Sequence, residues 1–159
     1  FNVFMDDVNE WGIATLNRAL EGLKCTKAVH ICYGYGIEEN NRWKATLGDE
    51  WRQYDAIFPG LNKSVVDQVS LECASSHVPL SVMSHLSDKQ LMVGSVAVTA
   101  DHIETPEEVA ATIKEAMKYV DPERILPCTN CGMTPIPYDI ALAKVRALNA
   151  GARLAAERL

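Results

Sequence analysis

Three consecutive segments decide the fold: QLMVGSVAV at residues 90–98, TPEEVAATIKEAMKYV at 105–120 and RILPC at 124–128. The first is apolar enough for a strand that is buried on both faces, and the third is typical of a short strand. The middle segment begins with the capping box of a helix, in which Thr105 is the N-cap and Glu108 is the third helical residue. Strand, helix and strand in this order predict one βα unit of a parallel sheet.

The same alternation extends along the whole chain. Further strands are predicted at 1–6, 28–33 and 66–72, and further helices at 9–23 and 137–158. About five alternations predict an α/β fold with a parallel sheet and outer helices. Five units suit either an open, doubly wound sheet or the later part of an eight-stranded TIM barrel. The chain enters its first strand directly at Phe1, which favours the barrel and a single partial domain, 1–159.

The composition argues against several classes of function. The net charge of −6 is unsuited to a protein that binds the phosphate backbone of a nucleic acid. The sequence contains no run of about 18 apolar residues, so no transmembrane helix is expected. The opening FNVFMDD lacks the basic region of a signal peptide. We therefore expect a cytoplasmic protein without nucleic-acid or membrane partners.

Five cysteines stand in the sequence: Cys25, Cys32, Cys73, Cys128 and Cys131. An odd number in a chain without a recognisable signal peptide argues against a disulfide framework. Reduced thiols are therefore expected, and they direct attention to metal binding or catalysis.

His30 and Cys32 stand two residues apart at the end of a predicted strand. Side chains at this spacing point to the same face, so an imidazole and a thiol lie side by side. Imidazole and thiolate together suit zinc. A buried cysteine beside a hydrogen-bonded histidine is the alternative interpretation.

The motif CTNCG, at 128–132, follows the last predicted strand. It is similar to half of a zinc knuckle or to a redox pair. A redox pair of the thioredoxin type should open a helix early in its domain, whereas here Pro135 and Pro137 follow and the helix starts late. Two buried thiols without a role are the remaining alternative.

Acidic residues end two further predicted strands. Glu72 ends the strand 66–72, where a carboxylate of a parallel sheet points towards the site region, although a solvated strand-end acid is the alternative. Asp6 and Asp7 end the first predicted strand and could bind an ammonium group or a metal, or Asp7 could cap the next helix. Each predicted strand end thus supplies something polar, namely Asp6, His30 and Cys32, Glu72 and then Cys131. This convergence strengthens the hypothesis of a metal site, whose ligands only the fold can bring together.

Several motifs together resemble one known family. The motifs are HICYG at 30–34, SLE at 70–72, PCTNCGM at 127–133 and KVRALNAGA at 144–152. They are similar to the C-terminal catalytic domain of cobalamin-independent methionine synthase, above all to its short core versions. The resemblance covers essentially the whole chain. It implies a TIM barrel whose C-terminal part is present here and whose N-terminal part is missing.

The resemblance also implies the zinc ligands, residue by residue. By matching motif they are His30, Cys32, Glu72 and Cys131. Cys128 matches no residue with a role in the family. Asp6, in the stretch MDDV, matches the aspartate that helps hold the amino group of homocysteine, whereas Asp7 stands where the family has a glutamate.

One position departs from the family pattern. The larger enzymes carry a catalytic histidine after the strand that corresponds to 90–98, and Thr99 occupies that place here. His102, three residues later, is the candidate general acid if its loop turns back towards the site. The implied methyl donor is a methyltetrahydrofolate, with a methylated corrinoid protein as the alternative.

The implied activity is that of a zinc-dependent methyltransferase of the 5-methyltetrahydropteroyltriglutamate–homocysteine S-methyltransferase type, which converts homocysteine to methionine. A free thiol with a pKa of ~8.5 is only slightly ionised at neutral pH, whereas coordination to zinc deprotonates it. Glu72, as the oxygen ligand, is the natural one to yield to the homocysteine sulfur. The alternatives are another zinc thiol methyltransferase with a different donor and a non-catalytic, zinc-binding α/β module.

Overall fold

A computed structural model describes residues 3–35, 37–99 and 101–157. The strands within these residues form one parallel sheet, in which spatial neighbours follow chain order. They are β1 (Ala28–Ile31), β2 (Gln68–Glu72), β3 (Gln90–Val96) and β4 (Ile125–Thr129). A doubly wound sheet reverses its strand order at a switch point. The uninterrupted order β1-β2-β3-β4 instead matches an arc of a TIM barrel, as the sequence predicts.

Helices accompany the strands on one side of the sheet. In the described ranges the α-helices are α1 (Met5–Asp7), α2 (Ile13–Ala19), α3 (Glu38–Lys44), α4 (Gln53–Asn62), α5 (Pro106–Ala116) and α6 (Tyr138–Ala156). A π-helical turn, Val8–Gly12, joins α1 to α2, and 3₁₀ turns lie at Leu80–His85 and Pro122–Arg124. α5 packs on β3 and on α6, which also contacts β4. None of the described helices is long and apolar enough to cross a membrane.

The two faces of the sheet differ in what covers them. One face, which we call the covered face, packs against the helices and is fully buried at Val69, Leu71, Leu91 and Val93. Successive strand residues point to opposite faces, so the residues between these four point the other way. This second face, the open face, carries His30, Ser70, Met92 and Cys128, which line a groove of about 350 Å³. In a closed barrel this face would be the interior.

The strand predicted at 1–6 is wrong over the residues that the structure describes. Met5 begins α1, and residues 1 and 2 lie outside the described ranges. Helical backbone continues through the π-helical turn into α2, so the helix predicted at 9–23 begins and ends earlier than expected. Asp6 and Asp7 fall in the first helical turn, where negative charge is favourable because of the helix dipole. The described residues therefore contribute four strands to the sheet, where about five βα units are predicted.

The βα unit predicted from 90 to 128 is confirmed with small shifts. Thr105 caps α5: its hydroxyl accepts a hydrogen bond from the Glu108 N–H at 3.2 Å, and the Glu108 carboxylate accepts one from the Thr105 N–H at 2.7 Å. β3 ends at Val96, two residues before the predicted end. The next amide, Ala97 N–H, donates to the Glu104 carboxylate at 2.7 Å.

A buried ion pair fastens the loop after β3 to the last helix. Lys144 Nζ, on α6, lies 2.8 Å from Glu104 Oε2, and neither side chain is more than 8% exposed. The other oxygen of Glu104 accepts the Ala97 N–H. Removing one partner would leave a buried charge without its counterion, so the pair holds this loop in place. The loop carries Thr99 and His102.

Candidate metal centre

Three of the four predicted metal ligands meet at the carboxyl edge of the sheet. A nitrogen of His30 and the sulfurs of Cys32 and Cys131 all lie within 4.8 Å of one another. His30 belongs to β1, Cys32 directly follows it, and Cys131 follows β4. β2 and β3 stand between β1 and β4, so the donors come from the two outer strands of the described sheet. The fold, rather than closeness in sequence, therefore builds the site.

The donors differ in protonation. Burial raises the pKa of the Cys32 thiol to about 11, with the Cys131 thiol and the Glu72 carboxylate adding to the increase and the Gly34 N–H opposing it. Partial burial lowers the pKa of the His30 imidazole by desolvation, and the Glu72 carboxylate opposes this shift. One side of the ring stays open to solvent. At neutral pH the site therefore holds a neutral imidazole and a protonated Cys32. A metal ion has to displace the proton of Cys32 in order to bind there.

Glu72 ends β2 as predicted, but its carboxylate is not one of the three clustered donors. Its Oε1 accepts the Tyr33 N–H at 2.6 Å, and its Oε2 accepts the Tyr35 hydroxyl at 3.1 Å. The residue is only 4% exposed, so the alternative of a solvated strand-end acid is wrong. Two donors from the loop after β1 thus hold this carboxylate beside the cluster.

Asn130 ties the end of β2 to the end of β4. Its Oδ1 accepts the N–H groups of Cys73 and Ala74 at 3.0 and 3.2 Å, and its Nδ2 donates to the Ala74 carbonyl at 2.7 Å. Gly94 makes room for this side chain, because a Cβ there would lie 2.8 Å from Asn130 Cα. Since Cys131 is the next residue, the clamp fixes the position of that thiol.

The other cysteines stand outside the cluster. Cys128 Sγ lies 4.0 Å from Ser70 Oγ, and burial raises the pKa of its thiol to about 11. Cys73 is buried and packs in the core, as expected for a residue that points away from Glu72. Cys25 is exposed. Of the CTNCG motif, it is therefore Cys131 that the fold brings to His30 and Cys32.

The two remaining predicted site residues have different surroundings. His102 Nε2 lies 3.0 Å from Glu108 Oε2, and its side chain is 55% exposed. Thr99, on the same loop, is also exposed. Asp6 is exposed on α1 rather than at the end of a strand. Neither Asp6 nor His102 belongs to the three clustered donors.

Sequence reasoning missed the residues that hold the donors in place, which are Ser70, Tyr35 and Asn130. Ser70 lies 3.0 Å from the His30 ring and stands two residues before Glu72, so strand alternation could have placed it on the same face. Tyr35 and Asn130 lie in the connections after β1 and β4. Their partners depend on loop conformation, which no periodicity in the sequence reveals.

Comparison with known proteins identifies the family of this chain. Residues 51–154 match the family described as cobalamin-independent synthase, catalytic domain. A methionine synthase of Sulfurisphaera tokodaii is 29% identical over 150 residues, which cover 94% of this chain and 39% of the relative. One from Sulfolobus acidocaldarius is 27% identical over 151 residues, with the same coverage of each.

A solved structure agrees over nearly the whole chain. It is that of a B12-independent methionine synthase from Shewanella sp. W3-18-1 in complex with selenomethionine, and it is 55% identical with a TM-score of 0.93. The match covers 99% of this chain and 46% of the solved one. The chain thus spans about two fifths of the length of the curated relatives and slightly less than half of the solved protein. These matches show that the chain belongs to the cobalamin-independent methionine synthase family, within its catalytic domain.

Proposed function

We propose that this chain is the metal-binding part of a zinc-dependent methyltransferase that methylates the thiol of homocysteine to give methionine. The observation that carries the proposal is the convergence of His30, Cys32 and Cys131 within 4.8 Å. Membership of the methionine synthase family supports the same reaction. The Shewanella relative was solved with selenomethionine, the selenium analogue of the product proposed here.

The donor set suits zinc. Zinc bonds of ~2.3 Å to sulfur and ~2.0 Å to nitrogen place tetrahedral ligands about 3.5–3.8 Å apart, which is compatible with the 4.8 Å spread of this cluster. His30, Cys32 and Cys131 would hold the ion, and Glu72 would supply the fourth, exchangeable position. Bound zinc supplies the thiolate form of a coordinated thiol near neutral pH.

The chain's own residues prepare the exchange at the fourth position. The Tyr33 N–H and the Tyr35 hydroxyl bind the two oxygens of Glu72. Among two thiolates and an imidazole, the oxygen donor is the ligand that an entering sulfur replaces most readily. The same two donors would keep the buried Glu72 carboxylate paired if it were not bound to a metal.

Two further roles follow from the motifs. We assign Asp6 to the ammonium group of homocysteine, and its exposure on α1 leaves it accessible to a substrate. We assign His102 as the general acid towards a methyltetrahydrofolate, the proposed methyl donor. Its imidazole is accessible and is held at the start of α5 by Glu108.

We also propose that 1–159 is one partial barrel domain and that it works in the cytoplasm, where thiols stay reduced.

Metal analysis and spectroscopy of the full-length protein test the proposal. About one zinc per chain is expected after purification. Absorption at the zinc edge should show one sulfur ligand gained and one oxygen ligand lost when homocysteine is added. A zinc shell that does not change on adding homocysteine would contradict thiol activation at this site. Zinc binding without methyl transfer from either a methyltetrahydrofolate or a methylated corrinoid would identify a non-catalytic module instead.

The variant His102→Ala tests the proposed general acid. Loss of the acid should lower methyl transfer from a methyltetrahydrofolate by ~10²-fold while zinc content stays the same. Glu108→Gln is the matched control, because it removes the carboxylate that contacts His102 but keeps the imidazole. An unchanged rate in His102→Ala would assign proton transfer to another group or the methyl group to another donor.

A further inference from the structure

Ser70 occupies a central position on the open face. It lies in β2 directly opposite His30 in the register of β1 and β2, and it is only 9% exposed. Its Oγ is 3.0 Å from His30 Nδ1 and 4.0 Å from Cys128 Sγ. The hydroxyl therefore stands between the imidazole of a proposed zinc ligand and the thiol of the one CTNCG cysteine that is not in the donor cluster.

The contact with Ser70 decides which ring nitrogen is available. A neutral imidazole carries a proton on one nitrogen and a lone pair on the other, and only the lone pair binds a metal. Because Nδ1 faces Ser70, the nitrogen left for the metal is Nε2. Metal binding through Nε2 requires the proton to stay on Nδ1, so Ser70 has to accept a hydrogen bond rather than donate one.

Cys128 allows the Ser70 hydroxyl to act as a hydrogen-bond acceptor towards His30. A hydroxyl has a single proton, and it would stabilise the wrong imidazole tautomer if it donated that proton to Nδ1. Cys128 Sγ, at the distance limit for a hydrogen bond to sulfur, offers the proton another acceptor. Burial keeps this thiol protonated at neutral pH, so it places no negative charge next to the metal ligands.

We propose that Ser70 and Cys128 are positioning residues that fix the metal-binding tautomer of His30. The His30 Nδ1–H donates to Ser70 Oγ, and the Ser70 hydroxyl donates to Cys128 Sγ, which leaves the Nε2 lone pair for the metal. Outer hydrogen bonds of this kind orient metal-bound histidines in many sites. The inference deepens the proposed function and rests on it only in taking His30 as a metal ligand. In this arrangement Cys128 accepts the hydrogen bond from Ser70 and is neither a metal ligand nor a redox partner.

Zinc affinity of the full-length protein, measured by competition with a chelator, tests the role of Ser70. Ser70→Ala should weaken zinc binding ~10–100-fold, the range for loss of an outer hydrogen bond to a metal ligand. Ser70→Thr keeps the hydroxyl and should restore most of the affinity. Ser95→Ala is the matched control, because Ser95 is also buried, in β3, and its hydroxyl donates to the Val93 carbonyl instead of contacting a metal ligand. Equal zinc affinity in Ser70→Ala and the unmodified protein would overturn the inference.

Nitrogen-15 spectra of the His30 imidazole and the sulfur count at the zinc edge separate the possible outcomes. The unmodified protein should show a protonated Nδ1, and Ser70→Ala should show both tautomers before zinc is added.

Cys128→Ala should weaken zinc binding less than Ser70→Ala does and should leave the number of sulfur ligands unchanged. Loss of a sulfur ligand in Cys128→Ala would make Cys128 a ligand and overturn its role here. If His30→Ala left zinc binding unchanged, the proposed function itself would fail, which is a different result from an inert Ser70→Ala.

Discussion

The covered face and the open face of the sheet share the same strands but have opposite chemistry. Val69, Leu71, Leu91 and Val93 on the covered face are all fully shielded from solvent. The residues between them on the open face are polar, small or only partly buried. The covered face therefore supplies folding free energy, whereas the open face holds the donors and their partners. Neighbouring residues in one strand thus have separate tasks, and single substitutions should separate stability from metal binding.

The largest effect is expected from removing a donor. Cys131→Ser should abolish stoichiometric zinc binding, with a loss of affinity beyond the ~100-fold typical of outer hydrogen bonds. Metal analysis after dialysis against a weak chelator measures it. Cys25→Ser is the matched control, since Cys25 is exposed and outside the donor cluster. Full zinc in Cys131→Ser together with loss in Cys128→Ser would show that the wrong cysteine of CTNCG has been assigned.

The next effect compares two neighbours in β3. Leu91→Ala on the covered face should cost ~2–5 kcal/mol of unfolding free energy, because it leaves a cavity in a fully buried place. Met92→Ala on the open face should cost less than about 1 kcal/mol, since Met92 is only partly buried. Denaturant unfolding of the 159-residue chain, in which Met92 is only partly buried, provides both values. Similar losses for the two variants would mean that both faces are equally packed in solution, and the comparison would fail.

A smaller effect is expected at Gly94, where both folding stability and the position of Cys131 depend on close packing against Asn130. Gly94→Ala would place a Cβ 2.7 Å from the Leu71 carbonyl and 2.8 Å from Asn130 Cα, and overpacking of this kind costs ~1–3 kcal/mol. Zinc affinity should also fall, because Asn130 has to move and Cys131 follows it. Gly132→Ala, with open space around its Cβ, is the control for stability. Unchanged melting and unchanged zinc affinity in Gly94→Ala would argue against the Asn130 clamp.

The last effect is graded and concerns pH. The Cys32 thiol, with its pKa raised to about 11, is protonated between pH 6 and 8, so zinc has to displace its proton. The His30 pKa is lowered, so its imidazole is already neutral in most of this range and releases no proton. Apparent zinc affinity should therefore rise with pH by about tenfold per unit for each thiol proton released. Titrations in buffers of different ionisation enthalpy count those protons, and an affinity independent of pH would contradict thiol ligation.

The fold could be predicted where local signals agree and could not where one short run was ambiguous. The capping box of Thr105 and Glu108 is a local interaction, so the sequence alone located α5 correctly. The apolar run at 1–6 is too short for periodicity to distinguish a strand from a helix. The acidic pair after Met5, which suggested a strand end, in fact lies in the first turn of α1.

The donors could be predicted better than their partners. His30 and Cys32 share a face because of the two-residue period of strands, and the family motif adds Cys131. The groups that hold these donors come from other strands or from loops, as with Ser70 and Tyr35. Which donor meets which acceptor there depends on sheet register and loop path, and a single sequence encodes neither in a readable pattern.

The separation of the donors along the chain has a consequence for the order of assembly. About a hundred residues lie between Cys32 and Cys131, whereas the cysteines and histidines of a zinc finger are close together in sequence. Closing so long a loop in an unfolded chain is entropically unfavourable, so the unfolded chain has no preformed binding site for the ion. If the site binds zinc as proposed, the strands should pair first, and the folded protein should bind the ion afterwards. Zinc scarcity should therefore leave a folded, metal-free protein that a later supply of the ion converts to the metal-bound form.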